Sequence, residues 1–285
     1  MSVSNVAKRR GTILDEIMFY HRQQLPKIKR EIPLENLRAF AGVVLPALDF
    51  YGALKAPGVT LIAECKKASP SKGLIVPNYD PVMLAKAYGR AGAGAISVLT
   101  DGRHFQGSLA DLRNVKEATI GSGATGSKSS GIPILRKDFI FDPYQVYESR
   151  VAGADALLLI AAVLADGEIS DLLSLTRQLG MEALVEVHTE KELERVLPLG
   201  PRIVGVNNRN LQTFEVDFEN TARLRRIIPA DIVTVGESGL KTVEDVRQMR
   251  EIGVDAILVG ETLVKSQDVF NTARSFVLTG RPKQI

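Results

Sequence analysis

The sequence of 285 residues has no tryptophan, one cysteine and three histidines. A single thiol, Cys65, excludes an intramolecular disulfide and fits a reducing, cytoplasmic setting. It sits inside an apolar run, where an inert buried thiol is the expected state. His21, His104 and His188 are scattered and show no metal-ligand spacing, so no metal is expected. No apolar stretch is long enough to cross a bilayer. The basic cluster Lys8-Arg9-Arg10 has no apolar segment behind it, so no secretory signal is expected either. Charge of one sign is also lacking: Lys and Arg number 36 against 33 Asp and Glu, a net charge of +3. That balance suits an anionic small molecule, and no basic run with interleaved aromatics marks a nucleic-acid surface. What remains, 45% hydrophobic and 24% charged residues, is an ordinary globular composition. The length admits one large barrel or two modest domains.

A weak repeat decides between these. A glycine closes a helical stretch and, three residues on, a short apolar run begins: Gly92 before Ala95–Leu99, Gly153 before Ala156–Ile160. The same step recurs at Gly180 before Ala183–Glu186, Gly200 before Ile203–Val206 and Gly253 before Ala256–Val259. Each copy reads as a helix with a C-terminal glycine, a tight turn and a buried strand. Thr60–Cys65, Ile134–Arg136 and Ile232–Val235 add three strands without the glycine. Helical patterns lie between them, at Pro81–Ala91, Leu109–Ala118, Pro143–Val151, Glu168–Leu179, Glu190–Leu197, Glu219–Ile228 and Val243–Ile252.

Strict alternation of strand and helix demands a parallel sheet. An open doubly wound sheet would carry chemistry only at its switch point. Polar residues here follow almost every strand, as they do where eight loops converge on one site. The expected fold is therefore α/β, a (β/α)8 TIM barrel with an N-terminal helical extension. One barrel domain spans 1–285, with residues 1–57 as the extension packed on it. In that extension Thr12–Lys29 has helical spacing, with Ile13, Ile17, Phe19 and Tyr20 on the apolar side. Pro33 opens a second helix through Leu34, Leu37 and Phe40.

Gly121-Ser122-Gly123-Ala124-Thr125-Gly126 spells the dinucleotide fingerprint, but it follows a helix and precedes a strand. The fingerprint needs the reverse order, because a helix N-terminus holds the pyrophosphate. A Gly/Ser-rich loop is the expected reading.

The strand ends hold the chemistry. The first ends in Glu64-Cys65-Lys66-Lys67-Ala68-Ser69-Pro70-Ser71, and alternation puts Glu64 and Lys66 on one face, where the carboxylate can orient the lysine. The third ends at Lys137, the fifth at Glu186 with His188 beyond, the sixth at Asn207-Asn208-Arg209. Charged groups are costly inside a barrel, so Glu64, Lys66, Lys137, Glu186, Asn207 and Arg209 at one rim point to catalysis. Two lysines packed near each other should depress at least one pKa. Gly236-Glu237-Ser238-Gly239 and Gly260-Glu261 follow strands seven and eight, where barrels commonly bind phosphate.

These stretches resemble the indole-3-glycerol-phosphate synthase family. The matching motifs are Ile62–Gly73, Leu99-Thr100-Asp101, Phe105–Ser108, Leu135–Ile140, Leu184–Val187, Gly205–Leu211, Gly236–Gly239 and Leu258–Glu261, from about Thr12 to the last helix. The resemblance implies ring closure, decarboxylation and dehydration of an anthranilate-derived ribulose phosphate in tryptophan biosynthesis, without a cofactor. It implies catalytic roles for Glu64, Lys66, Lys137, Glu186, Asn207, Arg209 and Ser238: Lys137 as general acid, Glu186 as acid/base for the dehydration, Lys66 assisting from its place beside Glu64. Ser69 and Glu237 complete the polar wall; Pro70, Phe105 and Phe139 form the slot for the aromatic ring. Gly239, Gly260 and Glu261 hold the phosphate, largely through backbone N–H groups. The implied partner is that small molecule, on a monomer or weak homo-oligomer. Two departures stand out: His104 where the family has a second aromatic, and the Gly/Ser-rich insertion 119–131.

A rival of the same pathway type, phosphoribosylanthranilate isomerase, would want a Cys/Asp acid–base pair on different strands. A non-catalytic sugar-phosphate-binding barrel would keep the glycine turns but have no use for Lys66, Lys137 and Glu186 together.

Overall fold

The computed structural model describes residues 12–120, 131–209 and 215–282. Eight parallel strands close into one barrel: β1 (Thr60–Cys65), β2 (Ala95–Leu99), β3 (Ile134–Lys137), β4 (Ala156–Ile160), β5 (Glu182–Val187), β6 (Ile203–Asn207), β7 (Val233–Glu237) and β8 (Ala256–Val259). Consecutive strands are neighbours, and β1 pairs with β8 to complete the ring, Thr60 opposite Ala256 and Ala63 opposite Val259. No helix among the described residues is long and apolar enough to cross a membrane.

Alternation sorts each strand into two cores. Ile62, Leu135, Leu158, Leu184, Ile203, Val235 and Leu258 point inward and pack on one another in the barrel interior. Their neighbours Ala63, Cys65, Val98, Leu157, Val185, Val204 and Ile257 point outward and are covered by helices. The covering helices are α4 (Pro81–Ala91), α5 (Leu109–Thr119), α6 (Pro143–Val151), α7 (Asp166–Gln178), α8 (Glu190–Val196), α9 (Phe218–Arg225), α10 (Val243–Ile252), the short α11 (Glu261–Val264) and α12 (Val269–Gly280). The repeat of glycines has its cause in backbone geometry. Gly92 and Gly253 cap α4 and α10 at φ 93° and 84°, a left-handed conformation that lets the chain turn straight into the next strand.

Three helices precede the barrel: α1 (Ile13–Glu31), α2 (Leu34–Ala41) and α3 (Phe50–Leu54). Thr12 caps α1 and Asp15 closes the capping box. Phe50 and Leu54 of α3 are fully buried in the inner core, and Ala53 accepts a hydrogen bond from Thr60 at the start of β1, so α3 plugs the barrel's N-terminal mouth. Ile17 and Met18 of α1 enter the same core from the opposite end, beside Phe105 and Phe139. The expected apolar side of α1 is corrected here. Phe19 is 65% exposed, because at 3.6 residues per turn it lies about 200° round from Ile17; Leu14 and Met18 serve instead. Phe40 of α2 is likewise 57% exposed, and Leu37 alone of that helix is buried.

Candidate active site

Each inward row of the barrel changes from apolar to polar at its C-terminal end. Ile62 is followed two residues on by Glu64 and then Lys66; Leu135 by Lys137; Leu184 by Glu186; Val235 by Glu237. Period two thus aims them all into the same mouth, and the register sets their heights, with Leu99 opposite Lys137, Ile160 opposite Glu186 and Asn207 opposite Glu237. Arg136, one residue out of phase, faces away and is held between Asp138 and Glu148 at 2.9 and 2.8 Å.

A pocket of about 410 Å³ opens at this mouth. It is lined by every residue the sequence singled out: Glu64, Lys66, Ser69, Pro70, Phe105, Lys137, Phe139, Glu186, Asn207, Arg209, Glu237, Ser238, Gly239, Gly260 and Glu261. The lining also holds groups that sequence reasoning missed. Ile13, Leu14 and Ile17 bring α1 over one side, and Lys241 and Lys265 add cations beyond the two glycine turns. Nothing in linear order marks α1 as pocket wall; Lys241 and Lys265 follow closely on the glycine motifs and were within reach.

Two lysines anchor the polar wall. Lys66 Nζ lies 2.6 Å from Glu64 Oε1. Lys137 Nζ lies 3.4 Å from Glu186 Oε2 and 3.5 Å from Glu237 Oε2. The expected depression of a lysine pKa is not found at Lys137. Burial pulls its ammonium down, but Glu186, Glu237 and Glu64 together outweigh burial and raise it well above the ordinary lysine value. The carboxylates, not the second lysine, dominate the field.

The two carboxyls on Lys137 divide. Burial disfavours a charge on Glu186, yet Lys137, His188 and a hydrogen bond from Asn207 hold it below the usual carboxylate range. Glu237 is pushed up to about 8: burial raises it, Lys137 opposes, and the charges of Glu186 and Glu64 add to the rise. Its Oε1 has no hydrogen-bond partner among the described residues. The mouth thus biases Glu186 toward the carboxylate, Glu237 toward the neutral acid and Lys137 toward the ammonium. Behind Glu186, His188 Nε2 stands 3.6 Å from Oε1, with Glu192 3.7 Å from its other nitrogen. Burial lowers the His188 pKa, but these two acids raise it overall.

On the apolar side the rings of Phe105 and Phe139 stand 6.2 Å apart at 41°. Opposite them Asn207 Oδ1 accepts the Arg209 backbone N–H at 3.0 Å. The turn after β7 is left-handed twice over, at Ser238 (φ 68°) and Gly239 (φ 86°). A side chain on Gly239 would overlap Val216 and sit on a left-handed backbone, so this turn requires glycine. Glu261 pairs with Lys265 at 2.6 Å; burial opposes its charge, but Lys265 keeps it ionised. Its carboxylate thus faces a lysine, which leaves only its main chain for an anion.

Cys65 faces outward among the helices, with its thiol pKa raised by burial and by Glu64. It has no acid–base role in the mouth, which removes the isomerase reading. The glycine motif 121–126 and the insertion 119–131 fall largely outside the described residues, as do Asn210 and Leu211.

Fold and pocket together define a barrel enzyme. The family model described as indole-3-glycerol phosphate synthase matches residues 14–276. A protein of that name from Dehalococcoides mccartyi is 48% identical over 258 residues, covering 90% of this chain and 96% of the relative. A second, from Roseiflexus sp., is 48% identical over 266 residues, 92% of this chain and 97% of the relative. The chain belongs to the indole-3-glycerol phosphate synthase family. Among solved structures, 3-hexulose-6-phosphate synthase from Salmonella typhimurium superposes with a TM-score of 0.61 at 12% identity, over 78% of this chain and 98% of that one. That likeness is one of fold alone.

Proposed function

We propose that the chain closes, decarboxylates and dehydrates 1-(2-carboxyphenylamino)-1-deoxy-D-ribulose 5-phosphate to indole-3-glycerol phosphate, as a carbon–carbon carboxy-lyase of tryptophan biosynthesis. The observation that carries the residue roles is the Lys137 ammonium held between Glu186 and Glu237, beside the Phe105–Phe139 slot.

The aromatic ring lies in the slot with Pro70 at its edge, and its ring carbon attacks the ketone of the sugar. The ketone oxygen gains charge and takes a proton from Lys137. The raised pKa keeps Lys137 protonated but makes it a weaker acid, and transfer stays downhill because an alkoxide is nearly as basic as hydroxide, whose conjugate acid has a pKa of about 15.7. Loss of CO₂ restores the aromatic ring. The hydroxyl formed at the old ketone carbon then leaves as water on a proton from the Lys66 ammonium, while Glu186, ionised, takes the proton from the adjacent carbon beside nitrogen. Lys66, oriented by Glu64, supplies the second cation. Arg209, whose backbone N–H is held by Asn207, suits the substrate carboxylate through its two-pronged donor edge. Ser69 and Ser238 offer hydroxyls to the sugar. The phosphate sits against the main chain of Gly239, Gly260 and Glu261, with Lys241 and Lys265 near.

The test is an indole-fluorescence assay on the full-length protein with Lys137→Ala. Turnover should fall about 10²- to 10⁴-fold while calorimetric substrate binding persists. Near-full turnover in the variant would remove Lys137 from the reaction, and no indole-ring fluorescence developing with the wild type would sink the reading itself.

A further inference from the structure

Away from Lys137, at the junction of α1 with the loop after β2, His21, Asp101 and His104 meet. We propose that these three side chains form a site for a borderline-soft divalent cation of the Zn²⁺ class, which clips the N-terminal helix onto the β2–α5 loop.

Asp101 Oδ2 lies 2.7 Å from His21 Nε2 and 3.2 Å from His104 Nδ1, and the three donor atoms all fall within 4.8 Å of one another. Ligands of a tetrahedral zinc ion stand about 3.3 Å apart, given Zn–N bonds of about 2.0–2.1 Å. The other oxygen of Asp101 is taken by the backbone N–H groups of His104 and Phe105, which fixes the carboxylate with Oδ2 turned to both imidazoles. Such outer hydrogen bonds are what orients a ligating carboxylate. The rings are held as well. Tyr20 meets His21 and His104 edge-on, with centroids 5.7 and 5.9 Å apart, and His21 also packs 5.4 Å from Phe139.

Two imidazoles and one carboxylate suit Zn²⁺, Co²⁺ or Fe²⁺ and not Mg²⁺ or Ca²⁺, which take oxygen ligands; water completes the fourth position. A ligating ring presents the lone pair of one nitrogen to the ion and carries its hydrogen on the other. The ligands are distant in sequence, residue 21 against 101 and 104, so no spacing motif reveals them. None of the three takes part in the proposed ring closure. Their position gives the ion a structural effect: His21 lies one turn beyond Ile17, a wall of the pocket, and Asp101 bonds the backbone of Phe105, another wall. A bound cation therefore locks two pocket walls together.

The full chain is titrated with Co²⁺, read by its visible absorption, and then with Zn²⁺ by displacement and calorimetry. One ion per chain is expected, with a higher melting temperature in Zn²⁺. His21→Gln keeps a hydrogen bond to Asp101 and His104→Phe keeps the packing; each should weaken binding about tenfold or more and cancel the thermal shift. His188→Ala should leave binding unchanged. Absence of a 1:1 complex in the wild type overturns the site, as does binding that survives both variants or is lost only in His188→Ala.

Discussion

Gly205 of β6 and Glu237 of β7 share one volume inside the barrel mouth: a Cβ on Gly205 would overlap Glu237 Oε1. The glycine is thus part of the acid's seat. Gly205→Ala should push the carboxyl against Lys137 or out of line. A misplacement of about 1 Å at a reacting centre costs on the order of 10²-fold in rate, and overpacking costs about 1–3 kcal/mol of stability. Gly167, which has open space around it, serves as the control, and Gly167→Ala should leave turnover unchanged. Steady-state kinetics and chemical denaturation of both variants check this; normal kcat in Gly205→Ala would detach the glycine from the site.

Glu237 sets a pH dependence whose sign follows from its raised pKa. Below the ordinary value of 4.5 the carboxyl is protonated both folded and unfolded. Between 4.5 and about 8 the unfolded carboxyl ionises while the buried one keeps its proton. The folded state then binds more protons, so this group costs stability as pH rises, at most about 1.4 kcal/mol per pH unit. Glu237→Gln lacks that cost. Its melting temperature relative to wild type should climb from pH 5 to pH 8 and level off above. Parallel melting curves across that range would place the Glu237 proton elsewhere.

Replacing residues 121–130 by a short glycine turn should leave kcat/KM within about twofold. Ile120 and Gly131 already pair as an antiparallel bridge, so the chain can be rejoined across a tight turn of two to five residues. The junction lies between α5 and β3, an αβ connection, and these run on the barrel face opposite the catalytic loops. A sharp rise in KM on deletion would show that the segment reaches the substrate.

The eight strands were legible because glycine C-caps and buried runs are local features. The strand after Gly92 and the helix Pro81–Ala91 agree with the structure residue for residue. Strand ends were readable too, since polar side chains at Glu64, Lys137 and Glu186 interrupt otherwise apolar rows. The direction of the Lys137 shift was not. It depends on Glu237 and Glu186 standing on either side of one nitrogen, from strands far apart in sequence. Nor could the place of α1 be read: its apolar face is visible, but Ile13 and Ile17 give no sign that they look onto a pocket. His21 and Asp101 illustrate the same limit: only the fold brings these residues, 80 positions apart, to within 2.7 Å.

Gly260 presses on the Glu64–Lys66 ion pair so closely that a Cβ there would overlap the Glu64 carboxylate. Those residues follow β8 and end β1, the two strands whose pairing seals the ring. The lysine's surroundings are therefore complete only when the end of the barrel sequence has returned to its beginning. A chain that still lacks its eighth strand therefore has no finished pocket, however well its first seven strands have paired.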